Sequence, residues 1–239
     1  MAAAARPTCT LPLWPLPLVA ALLPAVATLL ALAAYTSAHG VFCNPFIDDC
    51  VSISRMAKQG WANHVFHALV LPGAVLQLAT WLVAAGMFAD AAAARREAQL
   101  IAALGTCAGI TLVVYGTFLG SDGAIYAWLR RWGPLLYFGS TYLAMLVFAR
   151  VARRLHDAGV LPLPRGQARA IHALLGFAAV VALVHGFASA TPFAALEDRV
   201  ENLSEWWGAT AMTLVFVVMA RLWACWGLCA RLSLGGPSR

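Results

Sequence analysis

An all-α, polytopic membrane bundle of six helices, with both termini in the cytoplasm, is the fold this sequence predicts. Composition gives the first reason. Of 239 residues, 62% are hydrophobic and 11% charged, with a mean hydropathy of +0.78, whereas soluble domains carry about 25% charged residues. The second reason is distribution. The apolar residues gather into six stretches, 13–35, 64–89, 99–120, 132–152, 168–190 and 204–228, each near the roughly 20 residues that cross a bilayer as a helix. In lipid every backbone amide must be paired internally, and runs without alternation choose helices over a barrel. Charge sidedness is the third. With the N-terminus inside, Arg6, Arg95, Arg96, Arg150, Arg153, Arg154, Arg165, Arg169, Arg221, Arg231 and Arg239 fall inside, eleven of the sixteen Lys plus Arg. Arg55, Lys58, Arg130, Arg131 and Arg199 fall outside, the asymmetry of the positive-inside rule.

The elements follow in order, as one membrane domain over residues 1–239. Span one is crowded by Pro12, Pro15, Pro17 and Pro24, so its inner end is expected to be kinked or irregular and the helix peripheral. Its apolar core is too long for the h-region of a cleaved signal peptide. The main external loop, 36–63, holds Cys43, Asn44, Pro45, Phe46, Asp48, Asp49 and Cys50. Outside the membrane, Cys43 and Cys50 are expected to form a disulfide that pins this loop; two thiolates joined by His39 are the alternative. Span three carries Gly105, Gly109, Gly116 and Gly120, which share one helical face. Such small-residue faces let helices approach closely in lipid, and this span is expected to be central. Trp128, Trp132, Tyr137, Trp206 and Trp207 mark the outer boundary and Trp223 and Trp226 the inner one, as interfacial aromatic belts do. The prolines and arginines of 150–169 form a basic inner hairpin. Cys225 and Cys229 are expected one helical turn apart at the inner end of span six.

An outer polar cluster is the candidate site. His64 and His67 share one side of span two, His185 lies toward the outer end of span five, and Glu205 opens span six directly before Trp206. Asp48, Asp49 and Asp122 lie at the same level. If these residues converge, they could grip a lipid headgroup, move protons or hold a metal. Otherwise they form a hydrated polar rim. No metal or other cofactor is expected; a b-type haem on His185 with His64 or His67 is the minor alternative. His172 and His185 are about 20 Å apart along one helix and cannot serve one site. Asn202-Leu203-Ser204 spells a glycosylation sequon that abuts the membrane. Neither a Ser-His-Asp order, a P-loop, an HEXXH motif nor a dinucleotide fingerprint occurs, and the scattered basic residues do not suit nucleic acid.

Asn44-Pro45-Phe46-Ile47-Asp48 after a first span, with Glu205-Trp206 opening a sixth, resembles the damage-regulated autophagy modulator (DRAM) and Sfk family of six-span membrane proteins. Asp48-Asp49-Cys50-Val51 stands where that family has Ser-Asp-Thr-Gly. The resemblance singles out Pro45, Asp48, Glu205 and Trp206. It implies a membrane-embedded protein, without established catalytic residues, tied to lipid organisation, trafficking or signalling; some relatives take part in lipid-anchor remodelling.

The functional expectation is recognition of membrane lipids, or of a membrane protein partner, by an outer cluster of Pro45, Asp48, Asp49, His64, His67, Asp122, His185, Glu205 and Trp206, without required catalysis. A membrane enzyme, either a haem redox protein or a metal-dependent lipid hydrolase, is the alternative, and a transporter the third reading. Fifteen arginines against one lysine, with abundant alanine, suggest a GC-rich genome and hence a bacterial inner membrane.

Overall fold

The computed structural model describes residues 9–40, 42–91, 94–190 and 193–232; Arg6 and Arg239 lie outside the described residues. The elements are β1 (Cys9–Pro12), α1 (Pro15–His39), α2 (Ile53–Met56), α3 (Gly60–Ala89), α4 (Arg95–Phe118), α5 (Ala124–Asp157), α6 (Arg165–Ser189), α7 (Ala194–Cys225) and β2 (Cys229–Leu232). Six of them, α1 and α3 to α7, are long and apolar enough to cross a membrane. They define a multi-pass membrane protein.

Around the bundle α1 packs on α3, α3 on α4, α4 on α5, α6 on α7 and α7 back on α1, with a thinner seam between α5 and α6. The helices thus form a ring with no central member. The expected central place of the glycine-bearing helix is therefore corrected: α4 is wedged between α3 and α5. Helix α1 joins α3 to α7 and closes the ring, and its low burial keeps it at the periphery, as expected for span one. The most lipid-facing helix is α6, with 17% of its apolar window buried against 28% for α1.

The glycine face itself is present. A methyl group on Gly105 would overlap the Trp81 side chain, one on Gly109 would meet Leu78, and one on Gly116 would touch Leu71. All three glycines therefore seat α4 on α3. Gly120 does not belong to that face. It lies beyond the end of α4 with φ of 98°, and a side chain there would run into the Lys58 carbonyl.

Prolines inside helices leave carbonyls unserved, because proline has no N–H for the residue four back. Pro24 leaves the carbonyl of Ala20 in this position, and the structure repairs it: Gln77 Nε2 donates to Ala20 O at 3.2 Å. The Pro24 ring also nests against Gly73, so α1 approaches α3 closely where α3 has no side chain. The amide oxygen of Gln77 accepts from Tyr137 Oη at 3.0 Å, which carries the chain of bonds across the ring to α5.

Both ends of the described chain meet at one end of the bundle. β1 and β2 pair antiparallel, Cys9 opposite Leu232 and Pro12 opposite Cys229, and Leu13 N donates to Leu228 O at 2.9 Å. Cys229 is therefore in a strand, not a helical turn beyond Cys225. Gly227, at φ of 62°, ends α7: its N–H reaches Ala224 O and that of Leu228 reaches Trp223 O, a left-handed helix stop of the kind glycine favours. On the same end Arg154 binds Glu97 at 2.7 Å, tying α5 to α4.

The starts of α3 and α7 precede the apolar stretches by several residues. The first turns of α7 carry Glu197, Asp198 and Glu201, which continue the helix above the apolar segment.

Candidate functional site

At the end opposite the paired strands, the chain from Cys43 to Ser54 lies over the start of α7. The Cys43–Cys50 disulfide closes this loop. Inside it Asn44 organises a tight turn: its Oδ1 accepts from Phe46 N at 3.0 Å and its N donates to Asp48 Oδ2 at 2.8 Å. The Asn44 carbonyl accepts from Ile47 N and Asp48 N. Asx turns of this kind arise because a short amide can imitate a backbone carbonyl.

Helix α7 then grips the loop from beneath. Asn202 Nδ2 donates to Asp49 O at 2.6 Å, Trp206 Nε1 to Val51 O at 2.9 Å and Trp207 Nε1 to Phe46 O at 3.1 Å. The Phe46 ring stands edge-on to both tryptophans. Arg199 reaches Asp49 at 3.2 Å, and Arg55 reaches Asp198 at 3.1 Å. Glu205 holds the short helix α2 by its N-terminal turn, one carboxylate oxygen accepting from Ser54 N and the other from Ser54 Oγ, both at 2.8 Å. A carboxylate suits a helix start because the first amides there have no backbone partner.

Of the nine residues expected in the outer cluster, Pro45, Asp48, Asp49, Glu205 and Trp206 thus belong to one loop-to-helix junction. The other four do not join it. His64 is exposed and edge-on to Trp61; His67 sits beside Asn63, whose Nδ2 also binds Leu119 O at the end of α4. His185 meets Ser204 Oγ at 3.0 Å in the α6–α7 seam, and Asp122 is exposed before α5. Helical geometry explains the split: residues at one depth but on opposite arcs of a ring face different neighbours. Among the described residues, no group of three His, Cys, Asp or Glu side chains is placed to hold a metal. His67 and His185 occupy separate helix seams.

Several aromatic assignments change as well. Trp206 is 2% exposed and Trp223 fully buried, so neither anchors in an interfacial belt, and Tyr137 points inward to Gln77. Trp128, Trp132 and Trp207 remain exposed. Asn202 is 6% exposed and its amide nitrogen is occupied, which leaves the sequon closed in the folded protein.

Under the junction lies a cavity of about 300 Å³, the lower end of the range that holds small molecules. Its roof is Phe46, Ser54, Glu205 and Trp206, and its walls are mostly apolar side chains of α1, α3, α4, α5 and α7. Gln77 and Tyr137 lie at its depth, and Thr210 and Thr213 along α7. Leu29 and Leu214 line it and are themselves exposed.

Sequence reasoning missed Ser54, Asn202, Gln77 and Tyr137 as working residues. Gln77 had a signal, since an amide in the middle of an apolar span needs a partner. No family model, curated protein or solved structure matches this chain.

Proposed function

We propose that this multi-pass protein binds an amphiphile drawn from the surrounding bilayer, in the cavity beneath its disulfide-closed loop. The carrying observation is the cavity itself: apolar walls, exposed Leu29 and Leu214 in its lining, and polar groups at both ends, Ser54 and Glu205 in the roof and Gln77 and Tyr137 below. This is the composition of a ligand site, in which a few polar groups orient a largely apolar molecule. The junction of loop and α7 is then the scaffold that holds the roof in place, and the expected recognition of lipid moves from the rim to the space below it. The arginine asymmetry supports an external roof, and the bacterial inner membrane is the proposed location. The resemblance to the DRAM and Sfk family forms part of this proposal, and one observation supports it: Phe46 and Trp206, from its two short motifs, touch.

Lipid extraction from the intact chain, purified in mild detergent, tests the reading. A lipid species enriched over the bulk membrane at near-stoichiometric amount is expected, and its loss in Thr213→Trp, which fills the cavity. Extracts identical to bulk membrane in both proteins would refute it.

A further inference from the structure

The cavity lining is short of one kind of residue. Lysine, arginine and histidine are absent from it among the described residues, and its single ionisable group of low pKa class is the carboxyl of Glu205. A phosphate brought into this space would lose its hydration and find no cation in exchange. Burying an unpaired charge is among the costliest events in a protein interior. Proteins that hold phosphate use arginine, lysine or a row of free amides, and the amide of Ser54 is already taken by Glu205.

What the lining does offer is acceptors and neutral hydroxyls. Glu205 accepts from Ser54 N, from Ser54 Oγ and from the amide of Ile53, and a carboxyl group has about four lone-pair directions, so one direction is left for a further donor. Thr210 and Thr213 lie one helical turn apart on the same wall of α7.

Resting on the amphiphile-binding reading above, we infer that the occupant is an uncharged, hydroxyl-headed lipid, such as a diacylglycerol or a long-chain alcohol, whose hydroxyl meets Glu205 beneath the roof while its chain extends past Leu29 and Leu214. A phospholipid with its phosphate in the cavity is the excluded class.

The full chain in lipid nanodiscs, irradiated with chain-diazirine analogues of diacylglycerol and of phosphatidic acid, provides the test, with labelled peptides mapped by mass spectrometry. Diacylglycerol is expected to label cavity-lining residues of α1 and α7 about tenfold more than phosphatidic acid does, the scale of one hydrogen bond to a charged group. Excess unlabelled diacylglycerol should remove that labelling from the wild-type chain, a control that needs no variant. Ala209→Phe and Thr213→Trp should remove it too, with labelling of the outer face of α6 unchanged. Equal or stronger cavity labelling by phosphatidic acid would overturn the headgroup assignment and leave the amphiphile-binding reading standing. Cavity labelling by neither analogue would overturn both.

Discussion

Gln77 donates its amide N–H to the carbonyl of Ala20, the acceptor that Pro24 cannot serve. A break in the hydrogen bonding of one helix is thereby closed by a side chain of another, and the same amide receives the Tyr137 hydroxyl from a third. Removing it should cost about 1–2 kcal/mol, the scale of polar contacts between membrane helices. Gln77→Leu is therefore expected to lower stability by that amount in a detergent or steric-trap unfolding assay. Pro24→Ala restores a local N–H for Ala20, so in a double-mutant cycle the loss from Gln77→Leu should shrink in that background. Full additivity of the two changes would contradict the repair.

The carboxylate of Glu205 is the clasp between α7 and α2. Glu205→Ala should destabilise the loop end by about 1–3 kcal/mol, the usual range for leaving buried donors unpaired, and open the stretch 43–56 to protease. Ser54→Ala removes one of the two bonds and should show a smaller effect. Equal protease resistance in all three proteins would mean the clasp is not holding the loop.

Reduction or replacement of Cys43 and Cys50 releases a ring of sequence separation 7. Chain-entropy reasoning gives about 2.5 kcal/mol for so short a ring. The Cys43→Ser, Cys50→Ser double variant should lose up to that amount, with the helix content of the bundle unchanged by circular dichroism.

Seating of α4 on α3 depends on missing side chains. Gly105→Ala places a methyl inside the Trp81 side chain and should cost about 1–3 kcal/mol, as overpacking does. Gly176→Ala, on α6 where nothing lies within 4 Å, should cost nothing. A comparison of the two melting temperatures separates packing from a general sensitivity of helix glycines.

Cys225 is a free, exposed thiol near the paired strands. A membrane-impermeant maleimide should reach it only after cells are opened. Labelling in intact cells would invert the orientation.

The six spans and the disulfide could be read from the chain because both signals are local: twenty apolar residues in a row, or two cysteines in one short loop. Bonds between distant segments left no such trace. Nothing near Gln77 announces Tyr137, sixty positions away, and four-residue strands fall below any periodic pattern. Trp206 and Trp207 show the limit most directly. Adjacent in sequence and given one role by it, they differ by about 100° around the helix, so Trp206 is buried under the loop while Trp207, although bonded to Phe46 O, stays exposed. Which seam His64, His67, His185 and Asp122 enter depends on azimuth, and azimuth is set by how the helices close their ring.

The pairing of Cys9 with Leu232 also sets an order of assembly. During synthesis the first helix leaves the ribosome long before its second neighbour and its partner strand exist, and contacts so remote in the chain are slow to form. The loop of 43–56 likewise waits for Asn202, Glu205 and Trp206. A nascent chain halted before α7 therefore carries an open crescent of helices with an unroofed groove, and any chaperone or insertase that guards it must stay until the final span arrives.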